Sequence, residues 1–146
     1  MVMKTFMLGL ISAGVLAGCA APGTSGVQPD DLRDSQHFVT ETIISDLDFP
    51  NLQRNLYKHR AECGAAPRFV MHERQTGYAS LIETQEIPES YENVVLADLV
   101  QYPETLRAPK RVEVRVYSYY YNDDVQKRVD RMLGAIRRPG VCELGE

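Results

Sequence analysis

The sequence has few of the residues from which reaction centres and metal sites are most often built. It contains no tryptophan and three cysteines, and its three histidines, His37, His59 and His72, are spread along the chain. No HExxH or HxxEH spacing and no phosphate-binding glycine loop is present. We therefore predict that the protein is not an enzyme and has no catalytic residue, no metal site and no cofactor.

The chain also lacks a long uninterrupted apolar run. Residues 5–21 are mostly apolar, but Gly9 and Gly14 interrupt them, and about 20 apolar residues are needed for a helix that spans a membrane. One positive charge, Lys4, precedes the run and small residues follow it, which is typical of a cleaved signal peptide. The alternative interpretation is an uncleaved membrane helix.

The apolar run ends in Leu16-Ala17-Gly18-Cys19, which resembles the lipobox of bacterial lipoproteins. In that family the cysteine thiol receives diacylglycerol, the chain is cleaved before it, and the new amine is acylated. The resemblance implies a signal peptide over residues 1–18 and a lipid anchor on Cys19. Ala20 stands where enterobacterial lipoproteins that stay in the inner membrane carry aspartate, which implies the periplasmic face of the outer membrane.

The rest of the chain is long enough for one domain with its own core. Residues 19–36 are rich in proline, glycine, serine and aspartate, and we interpret them as the lipidated cysteine and a flexible linker. Residues 37–146 then form a single periplasmic domain. The formal net charge of −4 makes nucleic acid an improbable partner, since nucleic acid selects basic surfaces.

Two cysteines remain once Cys19 is lipidated. Cys63 and Cys142 form an even pair, and in an oxidising compartment such a pair predicts one disulfide. Free thiols are one alternative. A metal site is another, because His59 lies four residues before Cys63, but a fourth ligand is missing.

Hydrophobic periodicity predicts an α+β domain with an antiparallel sheet, two helices on one face, and the order β-α-β-β-β-β-α. We expect the elements in chain order over residues 37–44, 49–62, 68–73, 78–86, 92–102, 111–121 and 125–136. Asp48 and residues 122–124 can cap the two helices, and Pro139-Gly140 ends the second.

This order resembles the TATA-binding-protein-like architecture. It also resembles uncharacterised proteobacterial lipoproteins in which a strand and a helix ending in cysteine precede a sheet, and a second cysteine follows a C-terminal helix. Residues 37–44, 49–63 and 124–142 are the matching segments. The resemblance implies a fold, and a fold alone transfers no function.

The stretch from Arg111 to Tyr121 alternates valines with larger polar and aromatic residues. In a strand, the valines would face the helices, and Arg115, Tyr117, Tyr119 and Tyr121 would lie together on the outer face. Tyrosine is common at contact surfaces and is also a good strand former, so the row predicts either an interface or a plain sheet surface. The run from Val94 to Val100 is apolar on both faces, so we expect a loop, a second copy or a ligand to cover part of the outer face.

Two functions from different classes follow from these features. The first is a membrane-anchored envelope lipoprotein with a structural or protein-interaction role, whose partner is an envelope protein or a second copy. The second is a binding module for a small apolar or lipidic ligand held between the sheet and the helices. An accessory role in cell-wall assembly rests on the expected location alone.

The anchor gives the first testable prediction. The substitution Cys19→Ser removes the thiol that would carry diacylglycerol, so we expect an uncleaved and unlipidated chain. Intact-mass spectrometry of envelope-extracted protein measures both properties. Diacylglycerol on the Cys19→Ser chain would show that the interpretation of residues 1–19 is wrong.

Overall fold

The computed structural model describes residues 26–142, so the expected signal peptide and Cys19 lie outside the described residues. The elements are α1 (Pro29–Leu32), β1 (Phe38–Ser45), α2 (Phe49–Cys63), β2 (Arg68–Met71), β3 (Tyr78–Ile82), β4 (Leu96–Tyr102), β5 (Arg111–Tyr117) and α3 (Asp123–Arg137). A short 3-10 turn, Ser35–His37, precedes β1. The predicted α+β class and element order are confirmed, with α1 as an addition.

The five strands form one antiparallel sheet in the spatial order β1-β5-β4-β3-β2. The strands β2 to β5 follow each other as neighbours, and β1 returns to pair with β5. None of the helices described over residues 26–142 is long and apolar enough to cross a membrane.

Local signals at their ends define the two long helices. The carboxylate of Asp48 forms an ion pair with Lys110 (2.7 Å) and accepts a hydrogen bond from the Asn51 N–H (2.9 Å). Both contacts lower the pKa of Asp48. Gly64 ends α2 with a left-handed backbone (φ 79°). The side chain of Asn122 caps α3 by accepting from the Val125 N–H. The caps predicted at residues 48 and 122 are therefore confirmed.

Both long helices pack on one face of the sheet, which we call the inner face. The valines of β5, Val112, Val114 and Val116, are fully buried there, as their alternation predicted. From α2 the layer receives Phe49, Leu52 and Leu56, and from α3 it receives Val125, Val129, Met132, Leu133, Ala135 and Ile136. This apolar layer is the main core of the domain.

A second, smaller core lies on the opposite face of the sheet. It forms where residues 26–34, which we call the N-terminal segment, cross the sheet and insert Leu32 with no exposed surface. Leu32 packs in a cluster made by Ile82, Tyr91, Val94, Leu96 and Tyr117. The expected covering of the outer face therefore comes from the chain itself.

This packing corrects the linker boundary. Residues 26–36 were predicted as part of a flexible linker, yet they carry α1 and the buried Leu32. The physical reason is the apolar start of β4 on the outer face, which needs a cover because Leu96 would otherwise meet water. The segment is mostly polar because only Leu32 and, in part, Val27 are inserted.

Polar contacts hold the N-terminal segment in place. Arg33 binds both carboxylate oxygens of Asp98 in the middle of β4, at 2.8 and 2.9 Å, and this ion pair raises the pKa of Arg33. At the other end, Val27 donates its N–H to Ser90 Oγ (3.1 Å) and accepts from the Tyr91 N–H (2.8 Å). Both ends of the segment are thus fixed to the sheet side of the domain.

Cys63 and Cys142 are joined by the predicted disulfide, with their Cα atoms 5.3 Å apart. The bond connects the last residue of α2 to the chain that follows α3. It encloses most of the domain in one covalent loop, which restricts the unfolded chain.

The second core generates a stability prediction. We expect Leu32→Ala to lower the free energy of unfolding by roughly 2–5 kcal/mol, because it leaves a cavity under the N-terminal segment. Urea unfolding monitored by tyrosine fluorescence measures the change. Leu106→Ala is the matched control, since Leu106 is fully exposed and its loss should matter by less than about 0.5 kcal/mol. Equal effects of both substitutions would contradict the role of Leu32.

Candidate interaction surface

The predicted tyrosine row is interrupted by the end of β5. The strand ends at Tyr117 instead of continuing to Tyr121. Tyr117 lies on the outer face as expected, but it is buried against the N-terminal segment, and this burial raises its pKa. Beyond it the neighbouring strands supply no further partners, since β1 begins at Phe38 and β4 at Leu96.

Arg115 lies on the same outer face but in a different setting. Its guanidinium contacts Glu41 on β1 (2.8 Å) and Glu113 on its own strand (2.7 Å). Nearby, the Tyr102 hydroxyl donates to Glu113 (3.1 Å), and Arg111 lies over the Tyr102 ring. The charges in this half of the outer face are paired with each other, as on a solvated surface.

The three tyrosines that follow β5 lie together at one end of the sheet. Tyr119, Tyr120 and Tyr121 follow β5. Tyr119 and Tyr121 line a surface pocket together with His37, which precedes β1, and Phe38, which begins it. We call these five residues the aromatic end. Four of them are large exposed side chains, from Tyr119 at 41% to Tyr121 at 76%. Exposed aromatic side chains in one cluster are typical of contact surfaces.

Contacts within the aromatic end fix its geometry. The rings of His37 and Tyr119 stack with centroids 4.9 Å apart, and Tyr120 meets Tyr119 edge to face at 5.1 Å. The Ser118 N–H donates to the His37 carbonyl (2.9 Å), which ties the two chain segments together. Aromatic side chains held in this way lose little conformational entropy when a partner binds.

A hydrogen bond to Glu92 holds Tyr120 in place. The hydroxyl of Tyr120 donates a hydrogen bond to the Glu92 carboxylate, and this bond raises the pKa of Tyr120. Tyr121 has no comparable contact in the described part of the chain and remains the most exposed ring of the cluster.

An open cleft of about 670 Å³ runs from the aromatic end along the N-terminal segment. His37 and Tyr119 form its aromatic wall, and Gly26 lies at its other side. Four carboxylates line the cleft, those of Asp30, Asp31, Asp34 and Glu92. The surface therefore combines an aromatic cluster with an acidic border, which suits a partner that offers basic side chains.

The histidines are not brought together into a reaction centre. His37 belongs to the aromatic end, His59 lies 3.8 Å from the Cys63 sulfur on α2, and His72 is exposed after β2. Over residues 26–142, no three His, Cys, Asp or Glu side chains are grouped as metal ligands.

Sequence reasoning missed His37, Phe38 and Tyr120 as members of this surface. The first two come next to the tyrosines only through the pairing of β1 with β5, which is a long-range property. One local signal did exist for the N-terminal segment, because Pro29 followed by Asp30 and Asp31 is a helix-start pattern.

Comparisons with protein-family models, with curated proteins and with solved structures find no match to this chain.

The Tyr120–Glu92 contact can be tested by titration. We expect Glu92→Gln to lower the pKa of Tyr120 toward the ordinary value near 10, because the amide lacks the charge that opposes ionisation. NMR titration of tyrosine ring carbons measures it, with Tyr120→Phe to assign the signal. Glu89→Gln is the control and should leave this titration unchanged, and an unaltered titration in Glu92→Gln would rule out the contact.

Proposed function

We propose that the protein is a lipoprotein of the bacterial cell envelope, anchored through Cys19, whose domain binds an envelope protein and catalyses no reaction. The observation that carries the proposal is the aromatic end. Four of its five rings are exposed, and Tyr119 and Tyr120 are ordered by contacts with His37, with each other and with Glu92. This combination is what a preformed binding surface requires.

The path of the chain supports a position close to the membrane. The N-terminal segment is already packed at Val27, so only residues 20–25 separate Cys19 from the described domain. At about 3.3–3.6 Å per extended residue, these six residues reach roughly 20 Å. Gly26 and Tyr119 line the same cleft, so the aromatic end lies on the side of the domain from which the anchor departs.

We propose the periplasmic face of the outer membrane as the location, because Ala20 does not match the inner-membrane retention pattern. There, the partner would be a membrane-proximal protein with a basic segment. Of the four carboxylates in the cleft, Asp30 is ion-paired with Arg33 (2.6 Å), and those of Asp31, Asp34 and Glu92 would attract such a segment.

The ligand-binding alternative has less support. The layer between the sheet and the helices is filled by the apolar side chains of the main core. A groove of about 280 Å³ lies between α2 and β2, lined in part by Leu56, Tyr57 and Phe69, but it is open and bordered by Arg60 and Arg68. A lipidic ligand of the kind expected would need an enclosed apolar space.

Site-specific photo-crosslinking tests the interaction. We place a photoreactive phenylalanine analogue at Tyr121, express the full-length chain in its own envelope, and irradiate intact cells. We expect one discrete protein adduct, identified by mass spectrometry, because Tyr121 is exposed in the aromatic end. Tyr57 is the matched control position, since it is an exposed tyrosine on α2, outside the aromatic end.

The substitution Tyr119→Ser in the same chain should then reduce the adduct at least tenfold, because it removes the ring that stacks on His37. Thermal unfolding should show that the domain still folds. The proposal fails if positions 121 and 57 give the same adducts, or if Tyr119→Ser leaves the yield at position 121 unchanged.

A further inference from the structure

The free edge of β1 is the least protected part of the sheet. The opposite edge strand, β2, has four residues and follows Pro67, and short strands and proline both limit pairing. In contrast, β1 has eight residues, contains no proline or lysine, and carries a single charge at Glu41. Its side chains Phe38 and Ile43 are 45% and 55% exposed.

The hydrogen-bond pattern shows which backbone groups of β1 point outward. Asp46 donates its N–H to the Lys110 carbonyl (2.8 Å), so alternate residues back from Asp46 bond to β5. The residues between them, Glu41, Ile43 and Ser45, direct their N–H and C=O groups away from the sheet. No hydrogen bond to these outward groups is present within residues 26–142.

We propose that a second copy of this chain pairs with the free edge of β1, antiparallel across a twofold axis, and joins two five-stranded sheets into one. The inference goes beyond the proposed function and does not depend on the aromatic end. It rests on the outward backbone groups, the exposed Ile43 and the self-complementary sequence of the strand.

The charges near the strand disfavour two registers and leave the one centred on Ile43 as the register that we test. Centring the pair on Glu41 would place two carboxylates opposite each other. Centring it on Thr42 would bring together two copies of Arg137, each of which donates to the Thr42 hydroxyl. Centring it on Ile43 avoids both, packs the two exposed isoleucines together, and places each Glu41 opposite Ser45 of the other copy.

The size of the contact suggests where it forms. Five paired residues bury far less than the roughly 800 Å² per partner of a standard stable interface, so the pair should be weak in free solution. The twofold axis of a continuous antiparallel sheet is normal to the sheet, so both N-terminal segments lie on the same face. If Cys19 is lipidated, both anchors can enter one membrane, which raises the effective concentration of the two edges.

Cysteine trapping tests the register. Residues opposite each other in a hydrogen-bonded antiparallel pair have Cα atoms about 5.5 Å apart, which a disulfide can bridge. In the full-length chain in its own membrane, we expect Ile43→Cys to form a covalent dimer under mild oxidation. Glu41→Cys is the register control, because its two copies would be more than about 13 Å apart. Tyr57→Cys is the control for random collision, and peptide mapping checks that Cys63 and Cys142 remain joined.

A second variant tests whether the backbone takes part. Glu41→Pro removes an outward N–H that the sheet of one copy does not use, so the Ile43→Cys, Glu41→Pro chain should fold and its dimer yield should drop at least fivefold. Glu41→Ala in place of proline should keep the yield. The proposal is overturned if Ile43→Cys stays monomeric, if the three variants with an added cysteine dimerise equally, or if proline and alanine at residue 41 have the same effect.

Discussion

The structure depends on the start of β4, which is apolar on both faces. Its inner face, with Ala97 and Leu99, is covered by the two long helices, and its outer face, with Leu96, needs a different cover. The chain supplies it by laying the N-terminal segment across the sheet and inserting Leu32. The Arg33–Asp98 pair then fixes the position of that segment along β4. A half-buried ion pair of this kind specifies position more than it adds stability.

This one constraint also explains the arrangement of the other surfaces. Because the N-terminal segment covers only the end of the outer face near Leu96, Tyr117 is buried and the rest of that face carries paired charges around Arg115. Tyr119, Tyr120 and Tyr121 lie beyond the part of the outer face that the N-terminal segment covers. There, Tyr119 stacks on His37, which precedes β1. The aromatic end is thus a consequence of where the cover stops and the strands end.

The sequence allowed the prediction of features that depend on neighbouring residues or on one apolar stripe. The two long helices, their caps at Asp48 and Asn122, and the inner valines of β5 are of this kind. The Cys63–Cys142 pairing followed from the even pair that remains when Cys19 is set aside as the lipidated residue. The end of β5 at Tyr117 could not be predicted, because tyrosine continues the alternation while the strand ends where its partners do. The N-terminal segment was missed because one inserted leucine creates no periodicity.

The same geometry relates the two proposed contacts to the membrane. Fully extended, residues 20–25 would span at most roughly 20 Å, so a lipid on Cys19 would restrict how the domain can turn. The outer face and the aromatic end would then lie near the bilayer, while the edge of β1 would lie sideways to it and meet other copies within the layer. Weak contacts are sufficient in such a layer, because confinement replaces part of the affinity that a soluble complex must obtain from buried area. A small aromatic surface and the free edge of β1 would therefore suit the anchored protein that we propose.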